Sequence, residues 1–205
     1  MARLQRSVYT SDATTLAQTL LGQVLVRVLA DGTRLSGRIV ETEAYLGVED
    51  RAAHSFGGRR TPRNASMWGP AGHAYVYFTY GMHHCMNVVA DAAGQPSAVL
   101  LRALEPLDGI ERMRTQRAVK IAASRLRTVD LCSGPAKLAQ ALVIDRTLDG
   151  ADLVAGSALF IEQGHLVPAD GIVARPRIGI GYAGEWADKP LRFCVVGNPN
   201  LSRRV

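Results

Sequence analysis

Glu41, Glu43 and Tyr45 stand at alternate positions in the run Arg38-Ile39-Val40-Glu41-Thr42-Glu43-Ala44-Tyr45. On a strand, alternate residues share a face, so Glu43 and Tyr45 point the same way, with Glu41 beside them if the strand stays regular. A carboxylate next to aromatic rings suits general-base work, because burial raises a carboxylate's affinity for a proton. Structural ion pairs use the same residue types, and spacing alone favours that ordinary role. Tyr75 and Tyr77 also share a face and read first as sheet aromatics. Tyr80, beside Gly81, is expected to be an exposed ring at a turn, a shape that can wedge between stacked bases. His54 reads first as a hydrogen-bonded structural histidine. Gly57-Gly58-Arg59-Arg60-Thr61-Pro62-Arg63-Asn64 is a cationic loop with donors for phosphate, although a solvated turn has the same composition. It does not match the phosphate-cradling P-loop pattern. Arg112, Arg114, Arg117, Lys120, Arg125 and Arg127 form a diffuse basic stretch that reads as a solvated face.

The elements that must position these groups are legible in outline. Leu16, Leu20 and Leu21 have helical spacing, Ser11 or Asp12 can cap the start, and Gly22 can end the helix. Asp31-Gly32 between Gln23–Leu29 and Arg34–Val40 signals a hairpin whose second strand runs on toward Tyr45. Ala74–Tyr80 and Cys85–Ala90 predict a second hairpin with Tyr80 near its tip, and Ala98–Ala103 a further strand. Helices are expected from Leu107 to about Ala123 and after Ser133-Gly134-Pro135, with Leu138, Ala141 and Leu142 inward. Short strands follow around Ala158–Ile161, Gly171–Ile180 and Leu191–Val196. Strands outnumber helices and neighbours look hairpin-linked. The expectation is therefore an α+β single domain spanning 1–205, a mainly antiparallel curved sheet flanked by helices, with a protruding hairpin.

Composition narrows the partners. The 205 residues carry 24 Lys+Arg against 18 Asp+Glu, a net charge of +6, which favours a polyanion such as nucleic acid. Three scattered cysteines, Cys85, Cys132 and Cys194, form no CxxC pair and predict reduced buried thiols. No signal peptide or long apolar run is apparent, so the expected location is cytoplasmic, nucleoid-associated in a bacterium. No cofactor and no metal are expected. A minority alternative places Mg²⁺ on Glu41, Glu43, Glu49 and Asp50.

Taken together, these residues resemble the alkyladenine DNA glycosylase family, the monofunctional 3-methyladenine glycosylases. The resemblance rests on Gly37 to Gly47, Ala53-His54-Ser55, Thr61-Pro62-Arg63-Asn64 and Tyr75-Val76-Tyr77 through Tyr80-Gly81-Met82. It continues in Leu100 to Pro106, Leu131-Cys132-Ser133-Gly134-Pro135 and Gly184-Glu185-Trp186-Ala187, in order from about Leu20 to Gly197. The resemblance reverses the ordinary reading of Glu43. It implies that Glu43 activates the water attacking C1′ of a flipped nucleotide, that Tyr45 and Tyr77 sandwich the base, and that His54 forms a third wall. It further implies Tyr80 as the minor-groove wedge, Asn87 as a gate against the guanine 2-amino group, Arg102 near a phosphate or the substrate, and Arg59 and Thr61 on the DNA backbone. The implied partner is duplex DNA with damaged purines (3-methyladenine, 7-methylguanine, hypoxanthine or ethenoadenine), bound by a monomer with no membrane contact. His83-His84 at the turn and the Asp91–Pro96 link depart from the family pattern and bear on lesion range. A Mg²⁺-dependent nuclease and a non-catalytic damage-binding module are the rival functions.

Overall fold

The computed structural model describes residues 2–79, 81–119 and 122–204. Tyr80, Lys120 and the wedge role expected of Tyr80 lie outside the described residues.

The first hairpin forms as its Asp-Gly turn predicts. β1 (Val24–Val28) pairs antiparallel with β2 (Arg34–Tyr45), and β2 does run through to Tyr45. Before it, α1 (Arg6–Tyr9) is a short helix with no sequence signal strong enough to announce it. α2 (Ala13–Thr19) is capped by Asp12, whose carboxylate accepts from the backbone N–H of Thr14 and Thr15. β3 (Ala74–Thr79) and β4 (His83–Ala90) make the second hairpin, and β5 (Ser97–Pro106) lies between β4 and β2.

The predicted helix from Leu107 to Ala123 is shorter than expected. α3 (Ile110–Arg117) begins after Gly109, which sits at φ 75°, and ends at Ala118, ahead of β-branched Val119. α4 (Pro135–Ala141) starts on its proline and turns Leu138, Ala139 and Ala141 into the core. β6 (Leu159–Glu162), β7 (Ile172–Arg175) and β8 (Arg192–Val195) complete the sheet. β7 stops before Pro176, which has no N–H for a ladder, so the strand expected over Gly171–Ile180 is truncated.

The result is an α+β fold on one eight-stranded, curled antiparallel sheet, ordered β3-β4-β5-β2-β1-β6, with β8 and β7 branching from β2. β2 is the hub. One edge pairs with β5 along most of its length; the other pairs with β1 early and with β8 at Glu41–Glu43. α2 and α4 pack on the sheet, and the main apolar cluster draws on residues from Leu4 to Phe193. The cysteines are all buried and free. Among the described residues, no helix is long and apolar enough to cross a membrane.

Candidate active site

Register decides which side chains meet. Tyr75, Asn87, Leu100, Glu43 and Arg192 form one continuous cross-strand row over β3, β4, β5, β2 and β8. Directly paired residues share a face of the sheet. Residues two positions away on their own strands, Tyr77, Cys85 and Tyr45, extend the same surface. Arg102, two positions from Leu100, joins it by the same alternation, beside an irregularity in the ladder. Pairing of β2 with β5 passes from Ile39–Leu104 to Glu41–Ala103 to Thr42–Leu101, skipping Val40 on one strand and Arg102 on the other. The two skipped residues cancel, so the register is the same on either side, Arg102 and Glu41 keep this face, and the guanidinium lies between two carboxylates.

This surface lines a cavity of about 310 Å³. That volume falls at the lower end of small-molecule sites, roughly 300–1,000 Å³. Tyr45, His54, Tyr77, Asn87 and Arg102, all singled out from the sequence, lie in its wall. Glu43 does not itself line the cavity. It sits fully buried at the back, and its three partners, Tyr45, Ile178 and Arg102, are wall residues. Its Oε1 accepts from the Ile178 N–H at 2.8 Å and faces Arg102 Nη1 at 3.3 Å. Its Oε2 accepts from the Tyr45 hydroxyl at 2.9 Å.

Glu41 and Asp50 are occupied differently. Glu41 Oε1 accepts from Arg102 Nε and Arg192 Nη1, each at 3.1 Å, and from the Ser202 hydroxyl at 2.8 Å. Its Oε2 accepts from the Ser202 N–H at 2.6 Å. Asp50 is gripped by both terminal nitrogens of Arg177, at 2.5 and 2.8 Å. Three buried acids are thus matched by the three buried arginines Arg102, Arg177 and Arg192. The carboxylate oxygens of Glu41, Glu43 and Asp50, three of the four residues on which the alternative placed Mg²⁺ with Glu49, are already taken by arginine, backbone and hydroxyl donors, where a cation would need free lone pairs. No cluster of three or more potential metal ligands occurs among the described residues. Burial opposes the charge on Arg102, but Glu43 and Glu41 outweigh it and raise its pKa further.

The aromatic wall is rigid. His54 Nδ1 and the Tyr75 hydroxyl are 2.7 Å apart, and the His54 ring stands edge-on to Tyr77 with centroids 4.6 Å apart. Burial, with Arg63 and Arg59 adding repulsion, lowers the His54 pKa to about 4, so the imidazole is neutral at pH 7. Burial raises the phenols of Tyr45, Tyr75 and Tyr77, keeping them protonated. The Arg177 guanidinium covers the Tyr45 ring at 4.6 Å, and Arg63 lies 5.2 Å from that of Tyr77. Asp50 cancels the charge of Arg177, so the guanidinium on Tyr45 does little to repel a second cation from the cavity. Asn87 donates from Nδ2 to the Tyr75 carbonyl at 3.0 Å, which fixes its amide in the wall.

Arg59 and Thr61 are not in this cavity. They line a neighbouring cleft of about 300 Å³ with Arg51, Arg63 and Phe56, which joins the cavity's rim at Ala52, His54 and Tyr182. Asn64 staples that loop. Its Nδ2 donates to the carbonyls of His54 and Arg59, and its Oδ1 accepts from the N–H and hydroxyl of Thr61. At the hairpin end, Phe78 and Met82 are exposed, and Phe78 packs on His84 with ring centroids 5.0 Å apart.

Sequence reasoning missed Ile178, Tyr182, Arg177, Arg192 and Ser202. Ile178 acts through its backbone N–H, which leaves no compositional trace. Tyr182, exposed between Gly181 and Gly184, carried the one usable signal, a large ring in a glycine-rich turn.

A model of the family Methylpurine-DNA glycosylase (MPG) matches residues 7–199. The chain is 53% identical over 206 residues to the DNA-3-methyladenine glycosylase of Homo sapiens, covering 98% of this chain and 68% of that protein. To the protein of the same name in Mus musculus it is 54% identical, covering 61% of its length. To a putative 3-methyladenine DNA glycosylase of Clostridium acetobutylicum it is 46% identical over 202 residues, with 98% and 97% covered. The chain therefore spans about two thirds of the mammalian proteins and nearly all of the bacterial one. It belongs to the methylpurine-DNA glycosylase family and is a hydrolase of the DNA-glycosylase class.

Proposed function

We propose that the protein removes 3-methyladenine and related damaged purines from duplex DNA by hydrolysis of the N-glycosidic bond, acting as a monomer. The observation that carries this reading is the buried Glu43 carboxylate, hydrogen-bonded behind a base-sized aromatic cavity. The damaged nucleotide rotates out of the helix, at a cost of a few kcal/mol that is least for a damaged pair, and stacking in the cavity offsets it. Tyr45 and Tyr77 take the two faces of the base and His54 its edge. Glu43 accepts a proton from water as the water oxygen bonds to C1′. The C1′–N bond breaks, its electrons leave with the purine, and an abasic site remains.

Cationic 3-methyladenine and 7-methylguanine depart as neutral bases and need little acid help. The tyrosine faces attract them, and a neutral His54 does not repel them. Hypoxanthine and ethenoadenine start neutral and need protonation, with N7 the natural position. Asn87 occupies the wall where a guanine 2-amino group would press. Arg102 holds Glu43 in place from the cavity side. Arg59 and Thr61 meet the backbone from the adjoining cleft. Tyr80 enters the stack as the wedge; Tyr80→Ala should weaken lesion binding, and an unchanged affinity would remove that role.

The direct test incubates the protein, in EDTA, with methylated duplex DNA and separates released bases by chromatography. Free methylpurines with alkali-sensitive sites in intact strands are expected. Lesion binding without release would favour the damage-binding module, and strand cuts abolished by EDTA would favour a nuclease.

A further inference from the structure

A third cavity, of about 290 Å³, takes no part in base binding or in the chemistry at Glu43. Its wall includes Arg175, Arg177, Arg192, Arg203 and Arg204, together with Ile178, and contains no acidic residue. Two of these arginines are already balanced. Arg177 is paired with Asp50, and Arg192 shares Glu41 with Arg102, which also faces Glu43. Glu41 and Glu43 thus balance Arg102 and Arg192, charge for charge. Arg175, Arg203 and Arg204 are exposed and have no ion-pair partner among the described residues. The Nε of Arg177, a residue of the same wall, is buried without a hydrogen-bond acceptor among the described residues. Three guanidiniums without an ion-pair partner among the described residues thus share one concave site. Guanidinium forks match phosphate oxygens in pairs.

The location says which phosphates. Ile178 lines both this cleft and the central cavity. Arg175 is three residues away, at most about 11 Å along an extended chain. The Arg51–Arg59–Arg63 cleft joins the cavity through a different wall, at Ala52, His54 and Tyr182. A base-sized cavity therefore has an arginine-lined cleft at each of two walls. A strand that sends one nucleotide into the cavity must leave it in two directions, carrying a charge every 3.4 Å or so of helix rise.

We propose that the Arg175–Arg203–Arg204 cleft binds the phosphate backbone of the substrate strand on one side of the flipped nucleotide, as the Arg59 cleft does on the other. The inference rests on the glycosylase reading and adds a second backbone site to it.

The test is the combined variant Arg175→Glu, Arg203→Glu and Arg204→Glu, with single Arg→Gln changes to replace it should it fold poorly. Its control is Arg112→Glu, Arg125→Glu and Arg127→Glu, an equal charge change at exposed positions on α3 and the turns after it. Affinity for a lesion-containing duplex is measured across a series of KCl concentrations. The cleft variant should bind about tenfold more weakly, and its log–log salt slope should shrink by about 0.9 for each phosphate it no longer neutralises. The control should retain its slope. Equal slopes for both variants would overturn the proposal. So would selective thermal stabilisation of the native chain by inorganic phosphate, at matched ionic strength, with the DNA slope unchanged, since the cleft would then serve a free anion. A native chain that did not bind DNA at all would overturn the glycosylase reading itself, whereas strong binding with an unaltered slope would remove only this cleft.

Discussion

Glu43→Gln separates chemistry from structure because the surrounding donors dictate how the amide must lie. Glu43 Oε1 receives two donors, the Ile178 N–H at 2.8 Å and Arg102 Nη1 at 3.3 Å. The amide oxygen must therefore take that place. The amide nitrogen then falls where Oε2 was, beside the Tyr45 hydroxyl at 2.9 Å, which turns from donor to acceptor. An atom that could accept a proton from water has become a donor, while the packing is unchanged. Loss of a general base costs about 10²- to 10⁴-fold, or roughly 3–5 kcal/mol of barrier. The stability change should be far smaller. At 3.3 Å the Arg102–Glu43 attraction is about 5 kcal/mol gross at an effective dielectric near 20. Burying a carboxylate costs several kcal/mol in opposition, and Arg102 keeps Glu41. A net loss of about 1–2 kcal/mol is expected, a Tm shift of roughly 2–8 °C. The assay is single-turnover release of hypoxanthine from a duplex at saturating protein, beside lesion-duplex affinity and a thermal melt. Excision down at least a hundredfold, with affinity within a few-fold of native, is the expected result. A rate within threefold of native would refute the assignment of Glu43 as the base.

Arg102→Met should destabilise more than Glu43→Gln, by about 3–5 kcal/mol, because it leaves buried Glu43 without its ion-pair partner and Glu41 with Arg192 alone; a urea midpoint matching native would mean the buried charges are not coupled as described. For His54 the folded pKa of about 4 lies below the ordinary value near 6.5. The unfolded chain therefore binds the extra proton between those values, and stability present above pH 6.5 is lost as pH falls toward 4. The loss is at most about 3 kcal/mol. Urea unfolding at pH 7, 5.5 and 4.5 should show a shallower decline in His54→Gln than in the native chain, and identical declines would contradict the burial argument. Asn87→Ala should release measurable guanine from undamaged duplex; if guanine release stays at background, the gate lies elsewhere.

What could be foreseen and what could not divide along a physical line. The Glu43–Tyr45 pair, the Asp31-Gly32 hairpin, the Asp12 cap and the Pro135 helix start are local signals, set by strand alternation, turn chemistry and capping within a few residues. Each holds in the fold. The grouping of Tyr45, His54, Tyr77, Asn87 and Arg102 came instead from the resemblance, since no spacing rule brings β2, β3, β4 and β5 into one row. The features that escaped are those where two distant segments decide jointly. The skipped residues Val40 and Arg102 offset one another across β2 and β5, and neither strand alone encodes the offset. The Ile178 N–H reaches Glu43 across 135 positions and Ser202 reaches Glu41 across 161. This also explains why Glu41, which looked equivalent to Glu43 in sequence, is not. Both carboxylates point from the same strand and both touch Arg102. Glu41, however, is closed off by Arg192 and the Ser202 tail, whereas every partner of Glu43 borders the cavity. The partners supplied by β8 and the tail, and not the strand pattern, close Glu41 off and leave Glu43 as the carboxylate bordered by cavity-wall residues.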